Sequence, residues 1–226
     1  MQLTYAAADL MQDHPDLQPH VILGQRVHGG FDASGTYRPP RAFVREPALD
    51  AWAHALVERG GEVFPADSSL LAGVRVVGVD QQRVLLRNGL GRWFWDQLTV
   101  TGKIEARGRL LADVEFPDLQ PVIVDDISEM AIGHLGRGLL VAHGIDEGGQ
   151  PDIGIGGHDV MWFLARDLAF GEEIHPDVEP PENIGRPDAG TRYMPELPQG
   201  IEGLISLLAN LLIIEFRAEL GFAETQ

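Results

Sequence analysis

Apolar residues recur at helical spacing in four stretches of the second half of the chain, and this pattern predicts four helices. An amphipathic helix brings an apolar residue to the same face every three or four positions. The stretches are RWFWDQLTVTGKIEARGRLLADV, VDDISEMAIGHLGRGLLVAHG, HDVMWFLARDLAFG and GIEGLISLLANLLIIEFRAELGF, at 92–114, 124–144, 158–171 and 200–222. Their packing predicts a mainly α protein with a four-helix bundle over residues 91–226.

The first 90 residues lack this regularity, and we interpret them as an N-terminal extension that packs on the bundle. One helix is predicted here from EPALDAWAHALVERG, which has a proline near its start and a Gly-Gly pair at its end. The segment HVIL predicts a short strand. The segment VRVVGVD is either a short strand or the lead into the residues after it.

Two irregular segments carry many polar residues. His28, Asp32 and Tyr37 lie close together in the sequence, and we interpret them as part of a turn with satisfied polar groups. The Pro-rich, acidic stretch 172–199 predicts a long loop. Loops of this length are uncommon in compact domains, so this one suits a cover over a site or a contact with a partner.

Glu215 stands out in the fourth predicted helix because it directly follows four apolar residues. It continues the i, i+3, i+4 pattern of Leu204, Leu208 and Leu211, so we expect it to face the core. A buried carboxylate must be protonated, paired with a cation or bound to a metal. Glu202, near the start of the same helix, is expected to be exposed.

Glu105 and His158 are each open to a structural and a metal-binding interpretation. Glu105 lies inside the first predicted helix rather than at a cap, and its alternative is an ion pair with Arg109 at i+4. His158 begins the third predicted helix together with Asp159. A helix cap explains that aspartate without any metal.

His134 lies on the apolar face of the second predicted helix. A lone histidine on such a face is usually a hydrogen-bonded core residue. Glu129 precedes it by five positions, which is about 140° around a regular α-helix. A single π-bulge would bring the two side chains together, so the spacing is compatible with a shared site.

Composition narrows the chemistry that is open to these residues. The chain has 17 Lys and Arg against 34 Asp and Glu, a net charge of −17 that repels nucleic acid phosphates and anionic membranes. It has no cysteine, which excludes disulfides, thiolate zinc sites, cysteine-ligated clusters and a cysteine nucleophile. The N-terminus lacks the features of a signal peptide, and no apolar run is long enough to span a bilayer. These features predict a cytoplasmic protein.

Four motifs, GKIEARG, ISEMAIGHL, GGHDVMWFLARD and LLIIEFRAE, together resemble the ferritin-like di-iron carboxylate superfamily. In that family, carboxylates from four helices and two histidines enclose a pair of metal ions. The resemblance covers roughly residues 91 to 222. It implies five metal ligands, with Asp126 or Glu219 as outer or alternative ligands: Glu105 and Glu215 as single-helix carboxylates, Glu129 and His134 as a second-helix pair, and His158 as the remaining imidazole.

The chain departs from the family pattern, which has the spacing Glu-x-x-His twice. The only such spacing runs from Glu172 to His175, in the Pro-rich stretch where no long helix is expected. The residue three positions before His158 is Ile155. A one-metal site and a metal-free relic therefore stay open beside a two-metal site.

The resemblance implies an O2-dependent oxidoreductase or oxygenase that uses two iron ions, or manganese, and O2 as co-substrate on a small organic substrate. Neither nucleic acid nor a membrane is expected as a partner. The aromatic run RWFWDQL fits a core or a subunit interface, so a homodimer is compatible with the sequence. Two other functions fit the same residues: a non-enzymatic helical interaction protein with ion-paired acids, and a metal-dependent hydrolase with His143 or Glu129 as its base.

Overall fold

The computed structural model describes residues 1–14, 16–71, 73, 77–171, 178–180 and 190–223 of the chain. The chain divides into two compact units. The first unit comprises residues 1–62, 93–115 and 125–184, and the second unit comprises residues 63–92, 116–124 and 185–226. These units do not coincide with the predicted division into an N-terminal extension up to residue 90 and a bundle from residue 91.

The protein is mainly α-helical, as predicted. In chain order the described elements are α1 Ala7–Leu10, β1 Gln18–Ile22, β2 Gln25–Phe31, β3 Tyr37–Arg38, α2 Arg45–Glu58, α3 Val79–Arg87, α4 Gly91–Gly108, α5 Ala131–His134, α6 Leu139–Gly148, α7 His158–Phe170 and α8 Gln199–Ala223. Short 3-10 helices lie at Pro40–Ala42, Ser68–Leu71, Arg109–Asp113, Leu135–Arg137 and Pro151–Ile153.

The three strands form one antiparallel sheet in the order β1, β2, β3. Leu23 and Gly24 connect the first two strands with φ angles of 49° and 81°, which is the backbone that a tight hairpin needs. The strand predicted from HVIL is confirmed. Before β3, the Asp32 carboxylate accepts hydrogen bonds from the backbone N–H groups of Ser34 and Thr36 at 2.9 and 3.0 Å. The turn and the satisfied carboxylate of Asp32 are therefore confirmed, whereas Nε2 of His28 has no hydrogen-bond partner among the described residues.

The predicted N-terminal helix is confirmed as α2, which contributes to the core of the first unit. Trp52 is 2% exposed and forms a buried cluster with Leu10 and Ala48. Its indole Nε1 donates a hydrogen bond to the carbonyl oxygen of Leu3 at 2.8 Å. This packing ties the start of the chain to α2.

Three of the four predicted bundle helices are confirmed as α4, α7 and α8, but the second is wrong as a continuous helix. In its place the chain forms the short α5, a 3-10 turn and then α6. A side chain at Gly133 would collide with the carbonyl oxygen of Ile127. Gly138 has a φ of 128°, which other residues rarely adopt. The glycines thus allow a tightly bent path where a straight helix was expected.

The second unit includes the start of α8, where Ile201 and Leu204 are buried. Glu202 is buried as well, and its carboxylate accepts hydrogen bonds from the Arg192 side chain and from the backbone N–H of Tyr193, at 2.5 and 2.6 Å. The expectation that Glu202 is exposed is wrong, because the chain before α8 folds back onto this carboxylate.

The C-terminal half of α8 is more exposed than its composition indicates. Leu212, Ile213 and Ile214 are between 37% and 46% exposed. Phe216 is buried at 8%, and Glu215, about 100° away around the helix, is exposed. The expectation that Glu215 faces the core is therefore wrong.

Parts of two predicted segments lie outside the described residues. They are residues 74–76 of VRVVGVD, and residues 172–177 and 181–189 of the predicted long loop, including the spacing from Glu172 to His175. In the part of the chain that the structure describes, no helix combines the length and the apolar character needed to cross a membrane.

Candidate functional site

Helices α4 and α6 of the first unit approach closely enough to bring two glutamates together. Glu105 lies one turn before the end of α4, and Glu147 lies in the last turn of α6. A Cβ atom at Gly108 would stand 2.5 Å from Cγ of Glu147, so only glycine leaves room for this side chain. The close approach therefore depends on a glycine at the end of α4.

A tight loop then returns the chain from α6 to the same place. Gln150 and Ile155 form a small antiparallel bridge, with backbone hydrogen bonds of 2.7 and 3.1 Å. A Cβ atom at Gly157 would stand 2.5 Å from the carbonyl oxygen of Glu147. His158 follows directly as the first residue of α7. The glycine-rich loop thus places the imidazole beside Glu147.

The donor atoms of Glu105, Glu147 and His158 converge from three helices, and we call these residues the three-residue cluster. Nδ1 of His158 lies 3.3 Å from Oε1 of Glu147 and 3.8 Å from Oε2 of Glu105. One donor atom from each of the three side chains lies within 4.8 Å of the other two. The glutamate side chains are mostly buried, and the imidazole is about one quarter exposed.

Two further histidines flank the three-residue cluster. His143 lies one turn before Glu147 on α6, with its Nε2 atom 3.5 Å from Oε1 of that glutamate. His28 comes from β2, and its ring meets that of His158 edge to face, with 4.7 Å between the ring centroids. Five acidic or imidazole side chains therefore lie around one part of the first unit.

The end of α6 is anchored by a buried ion pair. The Arg45 guanidinium of α2 donates two hydrogen bonds to the Asp146 carboxylate, at 2.6 and 2.9 Å. Both side chains are less than one tenth exposed. A bidentate arginine–carboxylate pair has a fixed geometry, so it holds the backbone next to Glu147 in place.

The protonation of the site follows from burial and from neighbouring charges. Burial raises the pKa of Glu147, but hydrogen bonds with His158 and Glu105 and the charges of His158 and His143 lower it further, to below its ordinary value. Burial, and then the charge of His158, lower the pKa of His28 to about 4. At neutral pH, Glu147 is thus a carboxylate and His28 a neutral imidazole.

The low pKa of His28 predicts that acid destabilises the metal-free protein. With a pKa of 6.5 when unfolded and about 4 when folded, His28 binds more protons in the unfolded state between these values. Above about pH 6.5 this histidine does not lower the free energy of unfolding. As the pH drops to about 4, proton uptake by the unfolded chain lowers the free energy of unfolding by about 3 kcal/mol. Asp146 and Glu147 raise this pKa and oppose the shift without cancelling it. Below about pH 4.5, protonation of Glu147 in the unfolded chain lowers the free energy of unfolding further, because the folded protein keeps this carboxylate ionised.

Urea unfolding in a chelator at pH values from 7.5 to about 4 measures this effect. His28→Gln removes the titrating group and is expected to flatten the upper part of the profile. His54→Gln, at an exposed position of α2, is the matched control and should leave the profile unchanged. A profile for His28→Gln as steep as that of the wild type would contradict the prediction.

Comparison with known proteins identifies no family for this chain. No protein-family model, no curated protein and no solved structure matches it significantly. The resemblance to the ferritin-like superfamily stays a prediction from the motifs, and the function must be argued from the site.

Four of the five residues that the sequence singled out lie in the first unit, and the structure brings two of these four together. Glu105 and His158 belong to the three-residue cluster. Glu129 is partly exposed and forms an ion pair with Arg59 in the first unit. Glu215 lies in the second unit, exposed on α8.

His134 is fully buried away from Glu129, and both of its ring nitrogens are used. Nε2 accepts a hydrogen bond from the backbone N–H of Tyr5 at 3.2 Å, so the proton is on Nδ1, which donates to the carbonyl oxygen of Met130 at 2.9 Å. The ring stacks on Trp52 with 4.4 Å between centroids. The shared site of Glu129 and His134 is therefore not formed, and the alternative of a hydrogen-bonded core histidine is confirmed.

Glu147 is the residue of the cluster that sequence reasoning missed. The second predicted helix ends at Gly144, whereas α6 continues to Gly148 and so includes Glu147. The available signal was the spacing of His143 and Glu147 at i and i+4, which places both side chains on one helix face.

The chemistry of the three-residue cluster fits a divalent metal ion. Bonds from a metal to carboxylate oxygen or imidazole nitrogen are about 2.0–2.2 Å long, so neighbouring ligand atoms are about 3–3.5 Å apart. The distances of 3.3 and 3.8 Å are close to these values. Without a cation, two adjacent carboxyl groups must share a proton or pair with a protonated His158. Both arrangements use the same side chains, so metal binding must be measured.

Proposed function

We propose that the protein is a metal-dependent enzyme whose first unit binds one divalent ion through Glu105, Glu147 and His158. The observation that supports this most directly is the convergence of two carboxylates and an imidazole from three helices within 4.8 Å. Three protein ligands leave coordination positions open to water or substrate, which is the usual difference between catalytic and structural metal sites.

We further propose iron or manganese as the ion and oxidation of a small organic substrate with O2 as the reaction. Carboxylate and imidazole donors without thiolate suit these metals, which supply the redox chemistry when bound. The protein would contribute the negative charge of Glu147 to hold the ion, while Arg45 fixes the backbone beside it. A second ion, a ferritin-like bundle, a homodimer and a cytoplasmic location rest on the sequence alone.

A metal-dependent hydrolase is the second candidate, and the position of His143 favours it. Its Nε2 atom lies 3.5 Å from a carboxylate oxygen of the three-residue cluster, and its side chain is about one third exposed. An imidazole beside a bound metal can accept a proton from a metal-bound water. Zinc as the native metal, without any dependence on O2, would favour hydrolysis over oxidation.

Glu147→Gln is expected to abolish stoichiometric metal binding. The wild-type protein should hold about one ion per chain after purification without chelator or after anaerobic addition of Fe(II). The amide removes the ligand charge while keeping the size of the side chain, so affinity should fall by more than roughly 100-fold, exceeding the losses seen for outer residues of metal sites. Elemental analysis and titration with Fe(II) or Zn(II) measure the stoichiometry and the affinity.

Glu129→Gln is the matched control, because Glu129 is the same residue type in an exposed ion pair of the same unit. It should retain the ion. If both variants bind metal as the wild type does, the cluster is not the site. If the wild type takes up no stoichiometric metal, both enzyme proposals are wrong. The result would then favour a non-enzymatic protein with ion-paired acids.

A further inference from the structure

His28 is a buried histidine with an unsatisfied ring nitrogen. His28 lies on β2, and the whole residue is only 5% exposed. Among the described residues, no atom is in hydrogen-bonding geometry with its Nε2, which is shielded from solvent. An unsatisfied buried polar group lowers the stability of a protein, and in folded proteins a bound ion or an ordered water molecule commonly satisfies such a group.

Backbone hydrogen bonds fix His28 next to the three-residue cluster. The N–H of His28 donates to the carbonyl oxygen of Gly156 at 2.9 Å, and the N–H of Gly156 donates to that of Arg26 at 3.0 Å. The strand is thereby paired with the chain two residues before His158. Backbone pairing therefore brings the two residues together, and their imidazole rings meet edge to face.

Tyr37 provides the contact that would prepare His28 for binding a metal. Its hydroxyl oxygen lies 3.3 Å from Nδ1 of His28 and 3.5 Å from the carbonyl oxygen of the same residue. If the hydroxyl donates a hydrogen bond to the carbonyl oxygen, its own oxygen can accept a hydrogen bond from Nδ1–H of His28. The proton of the neutral ring is then on Nδ1, and Nε2 keeps a lone pair for a metal. Histidine ligands are commonly held in this way, with the second ring nitrogen donating to an oxygen.

A glycine makes the contact with Tyr37 possible. Gly29 has a φ of 69°, and a Cβ atom there would stand 2.6 Å from the hydroxyl oxygen of Tyr37. Only glycine at this position allows the tyrosine to reach the imidazole. The buried hydroxyl remains protonated, because burial raises the pKa of Tyr37 to about 12.

We propose that Nε2 of His28 is the fourth protein ligand of the ion held by the three-residue cluster, with Tyr37 as its positioning residue. The inference rests on the proposed metal site and adds the N-terminal sheet to it. With the three-residue cluster, this nitrogen would complete a set of two carboxylates and two imidazoles, which would leave two of the six coordination positions of iron or manganese open. The alternative is an Nε2–H group that faces the nearby carbonyl of Asp146 and has no part in metal binding.

Cobalt(II) is a suitable probe, because its visible absorption bands depend on the number and type of ligands. Wild-type protein, His28→Ala, His28→Gln and Tyr37→Phe would be titrated with Co(II), with near-ultraviolet circular dichroism to verify the fold. We expect both His28 variants to bind Co(II) at least roughly 10-fold more weakly and with altered bands, and Tyr37→Phe to lose affinity by about 10-fold. His54→Ala, exposed on α2, should behave as the wild type.

The outcomes separate this inference from the proposed function. If the wild type binds one Co(II) and both His28 variants bind it with unchanged affinity and bands, the inference is overturned and the three-residue site stands. If the wild type binds no Co(II), the metal site and the inference are both overturned. Should His28→Ala fail to fold, His28→Gln decides, because glutamine retains a polar side chain of similar size.

Discussion

Asp146→Ala is expected to lower the free energy of unfolding by about 3–5 kcal/mol, because it leaves a buried arginine without its partner. The Arg45 guanidinium is less than one tenth exposed and donates two hydrogen bonds to the Asp146 carboxylate. Removal of one partner from such a pair costs more than the pair itself contributes to stability. Urea unfolding at pH 7.5 measures the change.

Two comparisons make this result specific. Glu46→Ala removes an exposed partner of Arg41 from the same helix and should change stability by less than about 0.5 kcal/mol. The double variant Arg45→Met, Asp146→Leu should recover most of the loss, since apolar residues of similar size often replace a buried ion pair without cost. Equal effects of Asp146→Ala and Glu46→Ala would mean that the buried pair does not anchor α6.

His134→Ala is expected to lower the free energy of unfolding by about 2–5 kcal/mol without changing the metal content. The substitution opens a cavity beside Trp52 and removes the hydrogen-bond partners of Tyr5 and Met130. His134 is not part of the three-residue cluster, so the folded variant should still bind one ion. Thermal unfolding and elemental analysis of the same preparation test both halves of the prediction.

His54→Ala provides the reference for removal of a histidine from the surface, and it should change neither property. A folded His134→Ala protein that lacks metal would make His134 a candidate ligand again. Unchanged stability would contradict its role as a hydrogen-bonded core residue.

The sequence predicts a helix correctly where a regular apolar pattern agrees with the residues that mark helix ends, such as a proline near the start and a glycine after the end. Helices α2 and α7 are of this kind, and the glycine after α7 has the positive φ of a helix end. The second predicted bundle helix was wrong because it rested on apolar positions alone. Close backbone contacts at Gly133 and the conformation of Gly138 break it, and neither is visible in hydrophobic spacing.

The candidate site could be predicted only in part, for a related reason. Glu105 and His158 were found because each occupies a regular helix, and Glu147 was missed because glycines follow it directly. The pairing of β2 with Gly156 joins residues far apart in the chain, so the proximity of His28 to His158 cannot be read from local patterns. Glu215 continues the helical spacing of leucines that predicts a buried face, yet the three residues directly before it are exposed.

The glycine-rich turn between α6 and α7 also has a kinetic consequence. Glu147 and His158 are only 11 positions apart, whereas a contact between Glu105 and His158 spans 53 positions. Closing a short, flexible loop costs less chain entropy and takes tens of nanoseconds for about ten residues. We therefore expect the glutamate and the imidazole to meet early as the chain collapses, with Glu105 of α4 and His28 of β2 joining them only when the long-range contacts form.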